Sequence, residues 1–283
     1  MEEERKWENL ASDCLVCIFC YLGMEELTVA LPFVCKSWHE ASLDPRCWKK
    51  LNFLELDFSS GSNFERRFKQ EYGVGSRFCF SSLVKLCIER SHGSAVELSI
   101  PSVCSDSILQ ALISASIGCP KLKVVEFPGV RRQDEKQLPQ LISKWKELET
   151  LKISLKPVSF IETIEQININ CPNFAGLRLY GLFNNAETKA IAGCIPRLKI
   201  FAINGSIIDK EGLMEILDGC SELEVLNVSD CAGFDVDDEI LMKASKIKKF
   251  VFNDVTKEGN MIHHLLLERL QVVTKYSHWQ QIM

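Results

Sequence analysis

Five side chains near the amino terminus have the types and spacing of metal ligands: Cys14-x-x-Cys17-x-x-Cys20, then Cys35-x-x-x-His39. Thiolates and imidazoles at such intervals build tetrahedral zinc sites. Two features weigh against that chemistry here. The three cysteines fall at i, i+3 and i+6 and interleave with Leu15, Ile18 and Phe19, as small apolar residues on one helix would. No second Cys-x-x-Cys follows, as a zinc ribbon requires. A nucleophilic thiol is the other chemistry open to a chain with thirteen cysteines. Cys35 beside Lys36 and Cys47 beside Arg46 have the clearest cationic neighbours, the setting that favours a thiolate. No Gly-rich phosphate loop, HExxH, GxSxG or kinase set is present. His92, His263, His264 and His278 are scattered without a recurring carboxylate partner. No catalytic residue, metal or cofactor is therefore expected.

Any site must be positioned by the elements of the rest of the chain. With 283 residues, 46% of them hydrophobic and 25% charged, the chain falls in the ordinary soluble class of one or two domains. A formal charge of −5 without a basic stripe argues against a nucleic-acid partner. The opening MEEERKWEN is the opposite of a signal or transit peptide, and the apolar run from Cys14 to Met24 is too short to span a bilayer. The expectation is an intracellular protein of the nucleus or cytoplasm, with no membrane partner and with reduced thiols. The sequons at Asn204 and Asn227 are then chance matches.

From about residue 95 an L-x-x-L-x-L frame recurs: Ala95/Leu98/Ile100, Leu122/Val125/Phe127, Leu148/Leu151/Ile153, Phe174/Leu177/Leu179, Leu198/Phe201/Ile203, Leu223/Leu226/Val228 and Ile247/Phe250/Phe252. Successive copies start 27, 26, 26, 24, 25 and 24 residues apart, inside the leucine-rich-repeat range. The closing L-x-L reads as a short strand with one buried face. Helical patterns lie between, at Ser107–Ser116, Asp134–Trp145, Phe160–Ile169, Glu187–Gly193, Lys210–Leu217 and Asp237–Ala244. Cys119, Cys171, Cys194 and Cys220 precede the first apolar position of their copies by three or four residues, often with a proline just after. A small apolar thiol suits the point where a helix ends, and proline cannot continue the helix. Cys231 follows Val228 where such repeats point an Asn or Cys inward.

Residues 7–51 lack this frame. Leu15, Ile18, Phe19 and Leu22 follow helical spacing behind Ser12 or Asp13 as N-cap, with Gly23 placed to stop the helix. A segment Glu25–Leu31 runs into Pro32, which suits the first turn of a third helix carrying Val34, Cys35, Trp38 and Ala41. So small a module cannot bury its own apolar surface, so part of it should face a partner.

The run Leu10-x-x-Asp13-x-Leu15-x-x-Ile18-Phe19-x-x-Leu22, then Leu27, Val34-Cys35-Lys36-x-Trp38 and Asp44-Pro45-x-x-Trp48, resembles an F-box. Trp7 and the Asp-Pro-x-x-Trp ending are similar to plant members. Ala11 stands where most members carry proline. The match also accounts for Cys35 and Cys47. The second part is similar to the cysteine-containing leucine-rich repeats of many F-box proteins. The resemblance implies an all-α F-box followed by a short leucine-rich-repeat βα solenoid, of class α/β. Residues 52–93 would form a helical connector and cap. Residues 94–276 would hold about seven repeats, closed by a cap helix over Met261–Val273. It implies a substrate-recognition subunit of a Skp–cullin–F-box ubiquitin ligase, with catalysis supplied by other subunits. Carried over by position, the adaptor contacts are Leu10, Leu15, Ile18, Phe19, Leu22, Val34, Cys35 and Trp38, about half of them at the interface and the rest core. The target protein would meet outward positions of the repeat frame: Lys123, Glu126, Glu149, Lys152, Arg178, Lys199, Glu224, Asn227 and Lys248. The bland alternative is that these charges only solvate an exposed sheet face. Rival functions are a non-proteolytic F-box scaffold, a small-molecule receptor and a cysteine-dependent ligase.

Overall fold

The computed structural model describes residues 10–75, 78–102 and 107–252. Trp7, Ser76 of the connector loop, the expected helix Met261–Val273 and Trp279 lie outside them. The chain forms two compact units, divided between Phe174 and Ala175.

The first unit opens with α1 (Ser12–Phe19), which buries Leu15, Val16 and Phe19. Only half of the expected apolar stripe turns inward, since Ile18 and Leu22 stay exposed. Neither Ser12 nor Asp13 is the cap. Ala11 is, without a side-chain acceptor, and Asp13 sits inside the first turn and reaches Arg46 at 3.0 Å. The helix ends at Cys20, before Gly23, whose carbonyl instead accepts from Leu27 in the next segment. That segment is a five-residue helix of π pitch, Glu26–Ala30, followed by a 3-10 turn, Leu31–Phe33. Pro32 opens this turn, not the third helix as its spacing suggested. The cause is Cys35, whose extended backbone (φ −160°, ψ 173°) delays α2 (Lys36–Ser42). Val34 and Cys35 thus precede the helix instead of riding on it. Asp44 then caps the 3-10 turn Pro45–Trp48 by accepting from the Arg46 N–H. Trp48 is fully buried, and its Nε1 donates to the Ser42 carbonyl at 2.7 Å.

One strand was not anticipated. β1 (Lys50–Asn52) pairs in parallel with β2 (Glu97–Ser99), Leu51 opposite Leu98. Trp48, Leu51 and Phe53 are all at 0% exposure. They repeat the spacing of the L-x-x-L-x-L frame, so the sheet begins one strand before Ala95. The connector is a two-helix crossing between paired strands, α3 (Asn63–Tyr72) and α4 (Phe80–Ser91). Gly73 ends α3 at φ 62°, a left-handed conformation that strains other residues. Phe58, Phe64, Phe68 and Phe78 pack edge-on or tilted, with centroids 5.5 to 6.2 Å apart. Two hydrogen bonds tie α3 to the helical module: Arg67 donates to the Val29 carbonyl at 2.7 Å and Tyr72 to that of Thr28 at 2.8 Å.

Strands β3 (Val124–Phe127) and β4 (Thr150–Ile153) extend the parallel sheet, with Leu51, Leu98, Val125 and Leu151 in one row. α5 (Ile108–Gly118) joins β2 to β3, and α7 (Phe160–Asn170) follows β4. Between β3 and β4 the expected helix Asp134–Trp145 shrinks to a 3-10 turn, Glu135–Gln137, and a five-residue α6, Leu138–Ile142. Pro139 lacks the N–H that an unbroken helix would return to Glu135.

The second unit repeats the plan with β5 (Gly176–Leu179), β6 (Ile200–Ala202), β7 (Val225–Asn227) and β8 (Lys249–Val251), all parallel. Its helices are α8 (Asn185–Cys194), α9 (Lys210–Gly219) and α10 (Asp238–Ala244). Each starts on a side-chain cap at an equivalent place: Asn184 in a capping box with Glu187, Asp209 on Gly212, and Asp237 on Ile240.

The recurring cysteine has a definite slot. Cys119, Cys171 and Cys220 are the C-caps of α5, α7 and α9; all are buried, and each N–H donates back to the fourth residue before it. Cys194 departs from the pattern. One extra residue puts Ile195 in the C-cap slot, 5% exposed, and leaves Cys194 on the last turn of α8. Cys231 Sγ donates to the Ile203 carbonyl of the preceding repeat at 3.1 Å.

Candidate functional site

The helical module splits its apolar residues between a core and a surface. Leu15 and Phe19 are at 1% exposure, and Phe19 meets Trp38 edge-on at 5.3 Å, which locks α1 to α2. Of the other expected contacts, Ile18, Leu22 and Val34 are exposed, Val34 the most at 57%. Leu10, Cys35 and Trp38 are half-buried. Three large residues not singled out from the sequence join the exposed set: Tyr21, at 92%, Phe33 and, after α2, Leu43. Their signal was faint. Tyr21 continues the spacing of Ile18 past the end of α1, and Phe33 precedes Val34 in the turn entering α2. Exposed apolar residues on two segments joined by a ring contact are what a partner-binding surface requires.

Alternation along each strand of the repeat sheet sends Leu and Phe to the core and leaves the frame's x positions on the other face, as the partly exposed Val124 and Glu126 show on β3. Most of the nine expected target contacts are already engaged there. Lys123 pairs with Glu149 at 2.8 Å, Lys152 with Glu126 at 2.9 Å and Lys248 with Glu224 at 2.8 Å. Asn227 Oδ1 accepts from the N–H and the hydroxyl of Ser229, which holds the turn after β7. Arg178 and Lys199 remain exposed, with no ion pair among the described residues. Lys249, in register with Val225, adds a further cation to that face of the second unit, near the half-exposed Ile200.

The residues with metal-ligand spacing are not gathered. Cys14 and Cys17 are exposed on α1, Cys35 lies 3.2 Å from Ser37 Oγ, and His39 Nδ1 is 3.0 Å from the Pro32 carbonyl oxygen. Among the described residues no group of three His, Cys, Asp or Glu side chains could hold an ion. The twelve described cysteines are free thiols. Burial pushes Cys87 up to about 12 and Cys119 up to about 11. Cys79 differs: exposed at the start of α4, it is lowered to about 7 by hydrogen bonds from Ser81 and Ser82. Among the described residues no helix is long and apolar enough to cross a membrane.

A helical module whose last turn feeds the first strand of a parallel βα repeat also has counterparts in sequence. Residues 5–54 match the F-box-like family model, a span that includes β1. An F-box/LRR-repeat protein of Arabidopsis thaliana is 31% identical over 279 residues, covering 89% of this chain and 87% of its own. The F-box protein FBW2 of the same plant is 28% identical over 247 residues, covering 84% and 73%. The chain belongs to the F-box/LRR-repeat proteins.

Proposed function

We propose that this F-box protein is the substrate-recognition subunit of a Skp–cullin–F-box ubiquitin ligase. The F-box module, set at residues 7–51, docks a Skp-type adaptor and through it the cullin core. The repeats, from residue 94, hold a target protein inside the nucleus or cytoplasm. Ubiquitin transfer is carried out by other subunits, and this chain contributes proximity. The observation that carries the reading is the exposed set Ile18, Tyr21, Leu22, Phe33 and Val34, on a module that buries Leu15, Phe19 and Trp48.

On the target side, Arg178 and Lys249 of the second unit are the contacts best placed to act, because neither makes an ion pair among the described residues that a partner would have to displace, whereas Lys199 already acts on Glu224 of the next repeat. The paired Lys123, Glu126, Glu149, Lys152, Glu224 and Lys248 contribute less. Co-purification with a Skp-type adaptor tests the docking half: the wild-type chain retains the adaptor, and the double variant Ile18→Asp/Val34→Asp loses it. A wild-type chain that stays alone with adaptor in excess would sink the proposal. For the other half, proximity labelling with Arg178→Glu/Lys249→Glu should lose the proteins whose half-life depends on an intact F-box.

A further inference from the structure

We propose that Cys20 and Cys47 form a redox-active dithiol, which mild oxidation joins in an intramolecular disulfide between the end of α1 and the turn Pro45–Trp48. The two Sγ atoms lie 3.9 Å apart. A bonded pair sits at about 2.05 Å, so each sulfur needs to move only about 1 Å. The partners differ in access. Cys20 is exposed just past the last turn of α1, while Cys47 is buried at 6% exposure, 3.9 Å from the carbonyl oxygens of Val16 and Ala41. Cys14 and Cys17, exposed on the same helix, have no comparable sulfur neighbour among the described residues.

That asymmetry orders the chemistry. An oxidant from solvent, of the peroxide class, reaches Cys20 first: the thiol and hydrogen peroxide give the sulfenic acid and water. The Cys47 sulfur then attacks the Cys20 sulfur. The S–O bond breaks, and hydroxide leaves with the Cys47 proton as a second water. Two thiols lose two electrons and two protons, and one peroxide becomes two waters. Burial and the neighbouring Cys20 push the Cys47 thiol up to about 12, which keeps Cys47 from being the first site of attack. The new bond would clamp the turn that carries Tyr21 and Leu22. Its formation is independent of the adaptor-docking reading.

The test treats the reduced full-length protein with one equivalent of hydrogen peroxide, blocks remaining thiols with N-ethylmaleimide and maps peptides without reductant. The expected product is a Cys20 peptide joined to a Cys47 peptide, restored to two thiols by dithiothreitol. Cys20→Ser should abolish this product without shifting thermal unfolding, because the residue is exposed. Cys47→Ser, if it folds, should leave a Cys20 sulfenic acid that dimedone traps. Recovery of both cysteines as maleimide adducts, or a Cys20 bond to Cys14 or Cys17, would overturn the proposal.

Discussion

The guanidinium of Arg90 lies over the indole of Trp48, its central carbon 5.0 Å from the ring centroid. The same side chain donates to the Tyr72 hydroxyl at 2.9 Å, and that hydroxyl donates to the Thr28 carbonyl. One residue of α4 thus holds the closing turn of the F-box, helix α3 and the π-pitched segment together. The F-box and the first strands of the repeat sheet are built as one body.

Arg90→Ala should therefore lower the unfolding free energy by about 1–3 kcal/mol, from the lost ring contact and hydrogen bond together. Arg90→Lys should recover less than half of that, because an ammonium cannot stack flat on the indole while reaching Tyr72. Urea titration followed by tryptophan fluorescence reads both. Equal stability of the alanine variant and wild type would contradict the role given to Arg90.

The split between buried and exposed F-box residues predicts two classes of variant. Ile18→Asp and Val34→Asp should cut adaptor binding tenfold or more while changing stability by less than about 0.5 kcal/mol. Leu15→Ala should instead cost about 2–5 kcal/mol and Phe19→Ala about 3–5 kcal/mol. Calorimetric titration with the adaptor, beside thermal melts, separates the classes; a shared profile would mean that all four residues are core.

Ala11 caps α1 with φ −57°, which proline's ring imposes anyway. Ala11→Pro should then raise stability by about 0.4–1 kcal/mol through the unfolded chain. A lowered melting temperature would show that the Ala11 N–H or the path of Leu10 does not tolerate the ring.

Cys79 should take up iodoacetamide at pH 7 well ahead of Cys87 and Cys119. Its folded value is lowered to about 7, so its rate should climb between pH 6 and 8 and level off above that range. A thiol lowered on folding stabilises the folded state fully above its ordinary value of 9.0, and that contribution is lost as pH falls from there through about 7. Ser81→Ala with Ser82→Ala should move the midpoint upward; an unmoved midpoint would remove the serines as the cause.

Much of this was legible in the residues. The seven-copy frame placed the later strands, because a buried Leu every second position admits little else. The helices of the second unit were found to within two residues from their apolar spacing, while the caps that start them, Asn184, Asp209 and Asp237, were not singled out. Where the reading missed, a local conformation outweighed a pattern. Extended Cys35 displaced the start of α2, and Pro139 cut α6 short. β1 escaped because Trp48, Leu51 and Phe53 served two patterns at once, the end of the F-box and the first copy of the frame. On the sheet face, residue type pointed to charge, but only the register of neighbouring strands shows that Lys123 and Glu149, or Glu126 and Lys152, occupy each other.

The pairing of Lys50–Asn52 with Glu97–Ser99 also bears on how this chain can be cut. A fragment begun at residue 94, which sequence alone would recommend as a tidy repeat domain, opens on a raw border. Amide and carbonyl groups of Glu97 and Ser99 would face water with no strand beside them, ready to zip onto another molecule. Removing the F-box would thus yield a self-associating remnant.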